Sequence, residues 1–148
     1  MIPAEKRRLT DDEYQFIFSR VPRLCVEILL VQDGGLLLVQ RDIEPFKGFW
    51  TLPGGMVRYK ETIDEALARI IFDELGVTCT EKKLLGYIDC HDDGPWLQSI
   101  SLAFLVKFDG QLRGSDQGHN FKFFLDLPEK TQPYHAEFLK ENWSTIVD

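Results

Sequence analysis

Asp73, Glu74 and the run Pro53-Gly54-Gly55 are the parts of this chain best suited to chemistry. On a helical projection at about 100° per residue, Ile63, Leu67, Ile70 and Ile71 form an apolar arc that Phe72 and Leu75 widen, and Glu74 falls inside it. An unpaired carboxylate buried there is very unfavourable. A partner cation, a bound metal or a raised pKa relieves it. Alternatively, the helix rolls and Glu74 emerges at the edge of the arc, where an acid near a helix C-terminus still opposes the dipole. The two glycines let the backbone approach a ligand and turn a carbonyl toward it. A carbonyl of Gly54 or Gly55 with the carboxylates of Asp73 and Glu74 is an all-oxygen set. Such a set suits Mg²⁺, with Mn²⁺ as the alternative ion, and waters and phosphate oxygens complete the shell.

A loop and a helix must hold these groups. Thr62 caps the helix, Glu65 closes a capping box in T-I-D-E, and Gly76 is the stop residue. Glu65, Arg69 and Asp73 form a charged stripe, each acid within one turn of the arginine. Upstream, Arg23 to Val31 reads as a strand, Gln32-Asp33-Gly34-Gly35 as a hairpin turn, and Leu36 to Arg41 as the partner strand. Asp42 to Trp50 is a loop and Thr51 to Pro53 a brief extended piece. Strands follow at Leu84 to Cys90, Ser99 to Phe108 and Phe121 to Leu125, and a last helix from Gln132 to Asn142 with Pro133 in its first turn. Residues 1–20 are a peripheral arm with a turn of helix around DDEYQF. The order predicts an α/β fold, a mixed sheet covered by helices.

The chain has 148 residues, which predicts one domain over 1–148. A formal charge of -7 disfavours nucleic acid polymers and anionic membranes as partners. It also opposes a phosphate substrate unless a cation or a local basic cluster offsets it. Cys25, Cys79 and Cys90 match no C-x-x-C spacing, so buried thiols in a reducing compartment are expected, and the location expected is the cytoplasm. No segment has the length of a membrane span.

Residues 55–77 resemble the Nudix box, G-x5-E-x7-R-E-U-x-E-E-x-G-U with U a bulky aliphatic residue. The matching positions are Gly55, Glu61, Arg69, Ile71, Asp73, Glu74, Gly76 and Val77, preceded by the segment GFWTLPGG, and the resemblance covers residues 20–142. It implies an α/β/α sandwich with a mixed curved β-sheet between helices. It also implies a Mg²⁺-dependent, MutT-like hydrolase acting on a nucleoside diphosphate linked to another moiety, a nucleotide sugar or a nucleoside triphosphate. In family terms the Gly54 carbonyl and Glu74 are metal ligands, and Glu61 and Arg69 brace the loop against the helix. Family members are commonly homodimers. Two positions depart: Ile70 replaces a glutamate, and Asp73 is one methylene shorter than the usual residue. Both reduce the set toward one metal. A fold that has lost catalysis and keeps a nucleotide-binding or regulatory role is the alternative.

The reduced box is similar to that of the GDP-mannose mannosyl hydrolases, which attack the sugar anomeric carbon with a late-loop histidine as base. His119 in DQGHNFKFF occupies that place, although Gly118 and Met56 depart from that branch and its first-strand acid falls near Val26, beside Glu27. An imidazole accepts a proton near neutrality, so His119 is either that base or a plain loop histidine. Arg41, at a strand end, suits a bidentate phosphate clamp, and Lys47, Arg58 and Lys60 flank the same loops. Each of these is otherwise a surface cation. Phe46 and Trp96 are placed for ligand contact, and Trp50 for the core. His91 sits in a polar turn, and His135 is expected at the surface or partly buried.

Overall fold

The computed structural model describes residues 8–44, 46–91, 98–113 and 120–148. The chain runs α1 (Asp11–Phe18), β1 (Arg23–Gln32), β2 (Gly35–Gln40), β3 (Trp50–Thr51), β4 (Gly54–Met56), α2 (Ile63–Leu75), β5 (Thr78–Cys90), β6 (Ser99–Asp109), β7 (Phe121–Phe124) and α3 (Pro133–Val147). The strand order is β3-β2-β1-β6-β5, with β4 added to β1 and β7 to β2. Only β1 and β6 are parallel among these pairs, so the sheet is mixed.

Side-chain alternation along β1 creates two cores. Val26, Ile28 and Leu30 face Leu67, Ile70, Ile71 and Leu75 of α2. Leu29 faces the opposite way, with Phe138, Leu139 and Ile146 of α3. The result is the expected helix–sheet–helix sandwich. Asp33 and Gly34 both take positive φ, 52° and 79°, which gives the β1–β2 hairpin a two-residue turn that follows strand twist. Trp50 packs edge-on to Phe124, ring centroids 4.8 Å apart, as a core aromatic. Among the described residues no helix is long and apolar enough to cross a membrane.

One edge of β1 is shared. Residues 25–27 pair with β4, residues 31–32 pair with β2, and β6 takes the other edge. The sheet therefore parts between β2 and β4. The Ile28 N–H donates to the Pro53 carbonyl at 2.9 Å and anchors the chain at that fork. The sequence reading lacks β4, since two consecutive glycines carry no strand signal; long-range pairing with β1 imposes it.

Three other elements exceed their expected bounds. β5 begins at Thr78 rather than Leu84, because its polar first half is an edge strand bulged at Cys79/Glu81 and Leu84/Gly86. Its edge position also leaves Cys79 half-buried, whereas Cys25 and Cys90 are buried. α3 continues to Val147, since buried Ile146 outweighs the weak helix propensity of the Ser-Thr-Ile-Val run. α1 is a capped helix with a Thr10–Glu13 capping box and no buried residue, tied to β1 where Arg23 Nη1 donates to Tyr14 Oη at 2.8 Å.

Candidate active site

The helix α2 is fixed at both ends as the sequence dictates. Thr62 and Glu65 form the capping box, and Gly76 closes the helix in the left-handed region at φ 71°. Arg69, however, does not spend its donors along the Glu65–Asp73 stripe. Its Nε donates to Glu61 Oε2 at 2.8 Å, and its Nη2 to Glu61 Oε1 at 2.9 Å and to the Met56 carbonyl at 3.0 Å. The Arg58 N–H adds a bond to Glu61 Oε1 at 3.0 Å. One guanidinium thus ties the end of β4, the following loop and the helix together. The Arg69 hydrogen bonds hold the Glu61 carboxyl below the usual range, against the opposing effect of its burial. Burial, with Arg69 second, lowers the Arg58 guanidinium from its ordinary value.

The two glycines of β4 have separate tasks. Gly54 sits opposite Glu27 on β1, and a Cβ there would overlap the Glu27 carboxylate and the Val26 carbonyl. A Cβ on Gly55 would press on Ile70 Cδ1 at 3.1 Å. Ile70, at the position where a carboxylate is usual, is a core residue beneath the strand. The close approach at Gly54 is made to a carboxylate of the chain itself, that of Glu27.

At the fork between β2 and β4 lies a cavity of about 300 Å³. Its wall includes Arg41, Phe46, Gly54, Gly55 and Glu74, and also Glu27 and His135. Glu74 is half-buried and faces this cavity, whereas Asp73 is exposed and absent from its wall. Arg41 is half-buried just after β2; its N–H donates to the Phe49 carbonyl and its carbonyl accepts from Gly48 N–H, so the intervening loop folds back on itself. Phe46 takes φ 63° and packs on Phe49. Arg58 belongs to the Glu61–Arg69 cluster and does not line the cavity; Lys47 and Lys60 are exposed. His91 is exposed against the Tyr134 ring. His119 and Trp96 lie outside the described residues.

His135 corrects its expectation. It is buried, because the first turn of α3 packs against β3 and the chain leading to the fork. Its Nδ1 accepts from the Leu52 N–H at 3.1 Å, which places the ring proton on Nε2. Nε2 stands 3.9 Å from Glu27 Oε1, and Ser101 Oγ donates to that same oxygen at 3.1 Å. Burial, and then the charge of Arg41, push the His135 pKa down from 6.5 to about 4. Nearby, burial and then the charge of Glu27 push the Cys25 thiol up to about 12, so it is inert.

That His135 shift has a stability consequence. The folded value is below the unfolded one, so the unfolded chain takes up the proton first. Stability is full above about pH 6.5 and is lost as pH falls toward about 4, by about 3 kcal/mol over that window. Urea melts at a series of pH values are expected to show this slope, and His135→Asn is expected to remove it.

Among the described residues no group of three or more His, Cys, Asp or Glu side chains is arranged to hold a metal ion. The carboxylates in the wall of the cavity are those of Glu27 and Glu74, beside the backbone of Gly54 and Gly55. Mg²⁺ takes one or two carboxylates from a protein when phosphate oxygens and waters supply the rest. Such a donor set fits an ion shared with a phosphate ligand.

Comparison with known proteins agrees with this geometry. The NUDIX domain family model matches residues 21–141. The chain is 34% identical over 139 residues to the low-salt glycan biosynthesis protein Agl8 of Haloferax volcanii, covering 89% of each chain. It is 36% identical over 122 residues to an ADP-ribose pyrophosphatase of Methanocaldococcus jannaschii, covering 81% of this chain and 72% of the other. The crystal structure of a MutT NUDIX hydrolase from Burkholderia pseudomallei superposes with a TM-score of 0.75 at 28% identity, over 82% of this chain and 98% of that one.

Proposed function

The chain belongs to the Nudix hydrolase superfamily, and from that membership we propose that it is a Mg²⁺-dependent hydrolase of a nucleoside diphosphate linked to a sugar. The observation that carries this reading is that one cavity is lined by Arg41, Glu74 and the two glycines of β4. A clamp for phosphate, a carboxylate and a backbone that a ligand can approach closely are parts that suit diphosphate hydrolysis. Two relatives support the sugar: one is named for glycan biosynthesis, the other for action on ADP-ribose.

Glu74 and the Gly54 carbonyl would hold the ion. Bound there, Mg²⁺ would neutralise the diphosphate oxygens and stabilise the leaving charge. Arg41 binds phosphate oxygens through its planar fork, and Phe46 covers the ligand beside it. The Arg69–Glu61 brace, through the Met56 carbonyl, keeps β4 at a fixed place relative to Glu74. Glu61 is committed on both oxygens and its pKa is depressed, which makes it a poor base. Glu74 is then the carboxylate that meets the attacking water.

A product-resolved assay of nucleotide sugars tests the reading. Turnover is expected in Mg²⁺ and a fall to background in excess EDTA. Water labelled with heavy oxygen reports the bond broken: label only in the phosphate product means attack at phosphorus, and label only in the sugar means attack at carbon with His119 as the base to test. No turnover on any nucleotide sugar, dinucleotide or nucleoside triphosphate would leave a nucleotide-binding module and overturn the enzyme.

A further inference from the structure

We propose that Arg23 reads the base of the nucleotide and selects guanine, through the two acceptors O6 and N7 on one edge of that ring. The inference rests on the nucleotide reading of the cavity and names the base that such a substrate carries. Arg23 lines the same cavity as Arg41 and Glu74. It does so from the far end. Side chains at 23, 25 and 27 of β1 share one face of the sheet, and Gly54 lies level with residue 27. Four residues of strand, about 13 Å, therefore separate Arg23 from the level at which the ion and the diphosphate are held. A ribose and a purine laid end to end cover that span.

The wall at that end suits a flat, neutral ring. Cys25 pairs with Met56 across β1 and β4, and Arg23, Ser99 and Cys90 stand side by side on β1, β6 and β5. All five line the cavity. The three sulfur side chains are soft surfaces of the kind that pack on aromatic rings, and burial keeps the Cys25 thiol uncharged. Arg23 supplies the polar recognition. Its Nη1 donates to Tyr14 Oη at 2.8 Å, while its Nε is buried and has no partner among the described residues. A buried donor without a partner is costly, and an acceptor on a ligand relieves that cost. Turning about the Tyr14 anchor brings the Nε edge to the ring. A guanidinium carries donors only. Guanine offers it two adjacent acceptors, the pairing that arginine makes bidentately. Adenine sets its N6 amino group, a donor, beside N7 and so opposes the same fork. The helix α1 buries no side chain of its own, and holding Arg23 in place gives it a task.

Calorimetric titration of the whole chain in Mg²⁺ tests the assignment, with the α,β-methylene analogues of GDP, IDP and ADP as probes. Hypoxanthine, the base of IDP, keeps O6 and N7 and lacks the amino group of guanine. The GDP and IDP analogues are each expected to bind about tenfold or more tighter than the ADP analogue, the discrimination that one bidentate arginine–guanine pair supplies. Arg23→Met removes every donor, and Arg23→Gln replaces the fork with a carboxamide. Each is expected to erase the advantage while affinity for the ADP analogue stays within about twofold. The proposal is overturned if the three analogues bind alike or if adenine is favoured, results that leave the diphosphate reading standing. It is equally overturned if IDP does not share the advantage of GDP, or if the advantage survives both variants. Loss of all three affinities together in the variants would make Arg23 a phosphate contact or a support for α1, and that result also overturns it. If the native chain binds none of the three, the nucleotide reading itself fails and this inference falls with it.

Discussion

Glu74→Gln is expected to reduce turnover about a thousandfold with little change in stability. The substitution keeps the side chain's length and one carbonyl oxygen and removes the charge. A group that stabilises developing charge in a closed site is worth on the order of a hundredfold to a thousandfold in kcat, and loss of the ion would add the charge stabilisation it supplies. The two effects act on the same step, so they are not summed. Stability is spared because Glu74 lies in the last turn of α2, where a negative charge opposes the helix dipole. Steady-state kinetics beside a thermal melt check both halves. A fall in activity matched by unfolding would mean that Glu74 is structural.

Arg69→Met is expected to be the most damaging single change to the scaffold of the site. The Glu61 side chain is only 7% exposed and relies on two Arg69 nitrogens. Removing one partner of a buried pair leaves a charge without compensation, a loss of about 3 kcal/mol. The Met56 carbonyl loses its donor at the same time. Glu61→Gln in the same chain is expected to recover about half of the loss, because the orphaned charge is gone. Urea melts of the two single variants and the double variant complete the cycle. The pH dependence has a definite sign. The folded pKa of Glu61 is below its unfolded value, so the stability it contributes is present above the unfolded pKa and is lost as pH falls through the folded one. Arg69→Met removes that part of the acid sensitivity.

The helix α2 was legible because every signal in it is local: a Thr-x-x-Glu box, an apolar arc, and a glycine stop. Glu74 was legible for the opposite reason, as a charge that contradicts its own arc. Glu27 shows the same contradiction in an apolar strand. Its role depends on Gly54, which is 27 residues away in sequence and directly opposite in the β1–β4 ladder. His135 had no comparable signal. Its burial follows from how the first turn of α3 docks on Leu52, a contact 83 residues apart. The Arg69 partner was ambiguous among nearby acids. Glu65 and Asp73 are neighbours on the helix, yet Glu61 in the preceding loop presents both oxygens to the guanidinium. Position along the chain resolves pairs within an element, and the fold decides those between elements.

The central claim is that Glu74 and the backbone of β4 at Gly54 hold a divalent ion against a diphosphate in the cavity between β2 and β4. Mn²⁺ titrated into the chain with a methylene-bridged nucleoside diphosphate, and followed by electron paramagnetic resonance, measures it directly. One bound ion per chain is expected in the native sequence, with affinity sharply reduced in Glu74→Gln because a charged oxygen ligand is lost. Equal Mn²⁺ binding by the two chains would contradict the account.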